Sequence, residues 1–420
     1  MERDNLYFVL FEQQKDFEQI KNLVDREKTN EITKLSLLKM PIIITGVRRC
    51  GKSFLLKIIK NELKLKEKEY LYIDFNDERL INFSVEDFQK IIDFLDENDY
   101  KKNCVLFLDE IQEAKGWEKW VERIRKNHVI FISGSNSKLL SKEISTVLTG
   151  RSLNFSLYPF SFTEFLKFKK IEIKNWKISL KNQSQIRKNF DIFIETGGFP
   201  QRIISDKDVI ISELYENILY RDIIGRFNKN LVKQIKEISL YLISNVSSDI
   251  SLRTLSLLSG IKNIATVKKI LDAFENSFLY FTLSKFDYSI KKQIQNPKKI
   301  YCVDNGFVTS LGFRFSQNKG NLLENFVAIE LKRMGKEIYY HKENFECDFV
   351  IKDKLKIIEA IQVCFDFNEK NEKRELNGLL EAMKKFDLKK GAILTYDQEK
   401  ELKIEDKTIT IKPVWKWLLY

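Results

Sequence analysis

The run Ile42-Ile43-Ile44-Thr45-Gly46-Val47-Arg48-Arg49-Cys50-Gly51-Lys52-Ser53 constrains this chain more than any other stretch. A wholly apolar, β-branched segment leads into it, as in a strand buried on both faces. The residues from Ser53 to Ile59 then take helical spacing. Strand, glycine loop and helix in that order form a phosphate cradle. Gly46 and Gly51 leave the backbone free to wrap oxyanions with its N–H groups. The positive end of the helix points at the same oxyanions. Lys52 is placed to reach β- and γ-phosphates, and the Ser53 hydroxyl suits a Mg²⁺ ion.

A second buried strand, Cys104-Val105-Leu106-Phe107-Leu108, ends in Asp109-Glu110. Beside a phosphate loop, Asp109 is expected to hold the metal and its water shell, and Glu110 to polarise the attacking water. The expected nucleotide set is thus Gly46, Arg48, Arg49, Cys50, Gly51, Lys52, Ser53 and Asp109, with ATP and Mg²⁺ as ligands. Ser133-Gly134-Ser135-Asn136 ends the next strand, where Asn136 is suited to orient water; its alternative is a polar turn. Leu148-Thr149-Gly150-Arg151 closes the following helix. Arg151 there is suited to reach a neighbouring subunit's γ-phosphate, which implies a homo-oligomer. The alternative for Arg151 is a helix-terminal cation favoured by the dipole. Strands alternating with helices over residues 40 to 160 imply a parallel, doubly wound α/β sheet.

These runs resemble a prokaryotic family of AAA+-type P-loop ATPases in which an ATPase core precedes a conserved domain of unknown function. Further stretches carry the resemblance: Tyr72-Ile73-Asp74-Phe75-Asn76-Asp77, Tyr158-Pro159-Phe160-Ser161-Phe162, Thr196-Gly197-Gly198-Phe199-Pro200 and Tyr220-Arg221-Asp222-Ile223-Ile224. The resemblance covers nearly the whole chain. It implies ATP and Mg²⁺, and it supplies no substrate.

Behind the core (residues 1–165, with an N-terminal extension) a helical, lid-like region is expected over 166–240. Residues 241–305 read as helix, turn, helix and hairpin, the order of a winged helix. There Lys268 and Lys269 would face a DNA groove, and Lys285, Lys291, Lys292, Lys298 and Lys299 on the wing would meet phosphates. The alternative is a winged helix used for protein contact or as a lid. Residues 306–420 read as helix, strands, helix and strands, an order that resembles the restriction-endonuclease-like fold. Such a site needs an Asp, then a Glu-x-Lys on the next strand. Glu324 and Asp348 fit, but Gln362 stands for the Glu and Cys364 for the Lys. The expectation is a degenerate site at Glu324, Asp348 and Gln362.

The net charge of +12 permits a polyanionic partner such as DNA, and equally suits a soluble lysine-rich surface. The five cysteines and two histidines show no zinc spacing, which leaves reduced thiols in the cytoplasm as the simple expectation. No apolar run approaches membrane length. Three functions stay open: an ATP-hydrolysing enzyme moving its rear domains, a nucleotide-gated DNA-binding module with slow hydrolysis, and a Mg²⁺-dependent nuclease.

Overall fold

The structure, a computed structural model, describes residues 1–135, 150–173, 176–177, 179–205, 207–312 and 319–419. The chain divides into two compact units: Met1–Tyr158 with Asn276–Phe278, and Pro159–Glu275 with Leu279–Tyr420.

The first unit is built on five parallel strands: β1 (Ile42–Thr45), β2 (Tyr70–Asp74), β3 (Val105–Asp109), β4 (Ile130–Gly134) and β5 (Leu153–Ser156). Their spatial order is β2-β3-β4-β1-β5. The sheet is the expected doubly wound one, and its centre is apolar because helices cover both faces. Ile42, Ile43 and Ile44 are fully buried, as are Leu106, Phe107 and Leu108. The stripe Trp117, Trp120, Val121 and Ile124 forms one buried helix face. All five strands point the same way, so the loops after β1, β2, β3 and β4 gather at one edge.

Strand β2 lies at the border of the sheet, with unpaired backbone groups that invite aggregation. Helix Arg3–Gln19 covers it. Gln14 Oε1 accepts the Tyr72 N–H at 3.0 Å, and Gln13 Oε1 accepts the Asp74 N–H at 3.0 Å. Gln13 Nε2 donates back to the Asp74 carbonyl at 3.0 Å. Two glutamine side chains thus act as a surrogate neighbouring strand.

The second unit begins with helices, among them Phe162–Phe168, Leu180–Thr196 and Val232–Ser244. Helices Leu252–Ser259 and Ile264–Asn276 follow strand β6 (Asp249–Ile250). Strands β7 (Tyr280–Ser284) and β8 (Lys298–Cys302) pair antiparallel, and β8 lies between β6 and β7. A short helix, Ile290–Gln295, fills the hairpin loop.

Helix Lys319–Arg333 leads into a six-stranded mixed sheet. Its strands are β9 (Glu337–Lys342), β10 (Glu346–Asp353), β11 (Lys356–Cys364), β12 (Lys390–Thr395), β13 (Lys400–Ile404) and β14 (Lys407–Pro413). The meander β9-β10-β11 is antiparallel, and helix Glu372–Lys385 carries the chain over to β12, parallel to β11. Among the described residues no helix is long and apolar enough to cross a membrane.

Candidate functional site

The edge of the first sheet where the strands end assembles the expected nucleotide residues. Gly46 packs so tightly on the next strand's exit that a Cβ would lie 2.1 Å from the Leu157 carbonyl oxygen. Gly51 sits at φ +103°, a conformation costly to any side-chain-bearing residue. Both glycines are therefore required by the backbone path. Helix Lys52–Glu62 starts directly after the loop.

Lys52 folds back beneath the loop and is buried. Its ammonium donates to the Gly46 carbonyl at 3.1 Å and the Val47 carbonyl at 3.3 Å, and pairs with Glu110 Oε1 at 3.4 Å. Burial works against its charge, but Glu110, Cys50 and Asp109 outweigh it and hold its pKa above the usual lysine value. Arg48 is half-buried, and Arg49 is exposed at φ +64°. The Cys50 side chain faces inward, its thiol donating to the Leu157 carbonyl at 3.4 Å, and burial pushes its pKa up. Cys50 thus braces the loop from behind.

Asp109 ends β3 and is buried. Tyr72 donates to its Oδ2 at 2.9 Å, Ser133 donates to its Oδ1, and the Ser53 hydroxyl also bonds it. Burial and the neighbouring Glu110 charge raise the Asp109 pKa against these hydrogen bonds. Glu110 follows at φ +48°, in the left-handed region. A glutamate gains nothing locally from that conformation, and such strain concentrates at functional sites. Its Oε2 accepts the Ser135 N–H at 3.0 Å and a hydrogen bond from Gln112. Burial opposes its charge, yet Lys52 and these donors hold its pKa below the usual carboxylate value. One carboxylate is thereby pushed up and its neighbour down, the separation expected of groups with different tasks.

Several contributors were not singled out from the sequence. Asp74 ends β2 in register with Asp109, and burial plus the charges of Asp109 and Glu110 lift its pKa to about 7. Tyr72 and Ser133 hold Asp109 through hydroxyls. Arg26, from the N-terminal extension, donates to the Cys50 carbonyl at 3.0 Å and the Tyr158 carbonyl at 2.6 Å. Strand-end adjacency was the available signal for Asp74; nothing local marks Arg26. Asn136 lies outside the described residues. Arg151 precedes β5, at the opposite edge of the sheet from the phosphate loop, and pairs with Glu122 at 2.8 Å. It does not join the cluster. A cavity of about 580 Å³ between Val85, Phe88, Trp120 and Arg123 carries none of these groups.

In the second unit the structure brings Glu324, Asp348 and Gln362 together. Asp348 N–H donates to Gln362 Oε1 at 3.2 Å, and Gln362 Nε2 donates to Glu375 at 2.7 Å. Cys364 is buried, and burial pushes its thiol up to about 12, so it stays neutral, and a thiol cannot stand in for the lysine cation at any pH. The cation comes from elsewhere. Lys299 does not face solvent phosphates as expected of a wing lysine. It is 2% exposed, with its ammonium 3.0 Å from Glu324 and 3.2 Å from Asp348. The physical reason is the two-residue period of β8: Ile300 and Cys302 share one face, and Lys299 and Tyr301 turn together towards Glu324. Lys268, Lys269, Lys291 and Lys292 are exposed, and Lys285 lies in a bridge to Tyr340.

Comparison with known proteins bears on the whole chain. The model of an AAA domain matches residues 38–166. Two domains of unknown function follow, DUF8612 over 187–319 and DUF4143 over 319–417. An uncharacterized protein of Methanocaldococcus jannaschii is 37% identical over 400 residues, covering 90% of this chain and 88% of the relative. An uncharacterized protein of Haemophilus influenzae is 32% identical over 342 residues, covering 78% and 83%. Among solved structures, a Walker-type ATPase of Pyrococcus abyssi aligns at 15% identity with a TM-score of 0.46, over 69% of this chain and 96% of that one.

Proposed function

The chain belongs to a prokaryotic family of AAA-type P-loop ATPases whose core is followed by domains of unknown function, and we propose that it hydrolyses ATP with Glu110 as general base. The observation that carries this reading is the buried contact of Lys52 with Glu110 beside Asp109. Ser53 and Asp109 offer adjacent hard oxygen donors, the set that Mg²⁺ takes. When bound there, the metal would neutralise phosphate charge.

Lys52 is the pivot. Triphosphate oxygens compete with Glu110 for its ammonium. As Lys52 turns to phosphate, Glu110 loses the cation that depresses its pKa and becomes a better proton acceptor. Ser135 N–H and Gln112 keep the carboxylate aimed while this happens. Substrate arrival therefore activates the base. Release of phosphate from Mg²⁺-ATP by the purified chain, compared with Lys52→Ala, tests the reading; equal turnover would sink it.

Two finer readings go with it. Arg151 stands too far from its own loop, at the opposite sheet edge, and suits action on a neighbouring copy. DNA is the partner favoured for the second unit, where the helix pair and hairpin carry exposed Lys268, Lys269, Lys291 and Lys292. DNA affinity that falls steeply with salt supports this, and a flat response removes DNA as the partner.

A further inference from the structure

Strand β8 places Lys299 and Tyr301 on one face, against the start of helix Lys319–Arg333. Strand β10 places Glu346 and Asp348 on one face, by the same two-residue period. The Lys299 ammonium lies where these faces meet. It is 3.0 Å from Glu324 Oε1, 2.6 Å from Glu346 Oε1 and 3.2 Å from Asp348 Oδ1. An ammonium has three protons, and here each finds a carboxylate.

The carboxylates are occupied on their other sides as well. Tyr301 donates to Glu324 Oε1 at 2.8 Å, and Val363 N–H donates to Asp348 Oδ2 at 2.9 Å. Lys342 pairs with Glu346 Oε2 at 2.8 Å. Burial and the Asp348 charge push the Glu324 pKa up to about 8. Next to Glu324, Asn325 bonds both the N–H and the carbonyl of Cys302, at 2.8 and 3.1 Å. Helix and strand are thus clamped at two successive positions.

We propose that Lys299 is the resident cation of this cage, holding the position a divalent metal would take and fastening β8 to the C-terminal sheet. The second unit then works as a metal-free scaffold. To hold a metal in place of the ammonium, Glu324 and Asp348 would each have to move in by about 1 Å and Glu346 by about 0.5 Å, since Mg²⁺ takes oxygens at about 2.1 Å.

The test uses the full-length, nucleotide-free chain and Mn²⁺ as probe, read by electron paramagnetic resonance and by thermal unfolding. Wild type is expected to show no Mn²⁺ uptake that Asp348→Asn removes. Lys299→Met is expected to gain one Mn²⁺ per chain and recover several degrees of Tm with it. Adding Asp348→Asn to Lys299→Met should abolish both gains. Any Mn²⁺ taken by His341, Glu343 and Glu381, a grouping of suitable donors among the described residues, is common to all variants and subtracts out. Wild-type Mn²⁺ uptake that Asp348→Asn removes would overturn the proposal, and so would a folded Lys299→Met that gains none. If Lys299→Met does not fold, the wild-type and Asp348→Asn comparison decides alone.

Discussion

Each unit of this protein buries a lysine against carboxylates, and the two clusters differ in how completely that lysine is satisfied. Lys299 has a carboxylate for each of its three protons. Lys52 has one carboxylate, at 3.4 Å, and spends its other donors on two loop carbonyls. The Lys299 cage draws on regular strands and a helix. The Lys52 cluster hangs on a glutamate held in the left-handed region. A saturated cluster is a fastening, because any competitor must break several charge-assisted bonds. An under-saturated, strained one is a receptor, because an incoming phosphate offers Lys52 more than its present partners do.

The comparison breaks most readily at Lys52. Lys52→Ala should lower ATP turnover by about 10³-fold, as expected when a transition-state charge partner is lost; phosphate release measures it. Arg151→Ala should follow, with a loss of about 10³-fold and no rise of specific activity with protein concentration, as for a missing arginine finger. Activity per chain that is independent of concentration in the parent would end the trans reading.

At the other cluster, Lys299→Met should cost about 3–5 kcal/mol of stability in urea denaturation, because it strands buried carboxylates without their cation. Neutralising the buried part of the cage (Lys299→Met with Glu324→Gln and Asp348→Asn) should recover most of that loss, since Glu346 keeps Lys342 as a partner and no buried charge is left orphaned. If the triple variant is no better than the single one, the cage is more than a fastening.

The smallest effect belongs to Asp74. Its pKa in the fold, about 7, lies above that of an unfolded aspartate. Ionisation therefore costs folding free energy that begins near pH 4 and is complete above about pH 7. Asp74→Asn should stabilise the nucleotide-free protein by about 1–2 kcal/mol at pH 8, with the gain shrinking to nothing near pH 4. A gain independent of pH would show that charge is not the cause.

The same contrast explains what could be read from residues alone. The Lys52 cluster is encoded locally: loop, lysine and serine are contiguous, and Asp109-Glu110 sits at a strand end that the parallel sheet brings alongside. The Lys299 cage is assembled from β8, helix Lys319–Arg333 and β10, and no spacing rule links them. Cys364 reads as a lost lysine in the chain, while in space the positive charge arrives from β8. Tertiary contact also explains two runs that look chemical. In Thr196-Gly197-Gly198-Phe199-Pro200, Gly198 N–H donates to Asp304 at 2.7 Å, and Arg333 holds the Pro159 carbonyl at 2.7 Å in the Tyr158-Pro159-Phe160 run. Their role is to fix where helices meet. Asn136 lies outside the described residues, so its place beside Glu110 stays an expectation.

In the proposed cycle Glu110 is the base that Lys52 releases to phosphate. Its most direct test is Glu110→Gln, followed by ATP binding and single-turnover hydrolysis on the same preparation. Binding within a few-fold of the parent, with hydrolysis slowed by about 10²–10⁴-fold, is the result expected for loss of a general base. Hydrolysis at the parent rate would contradict it.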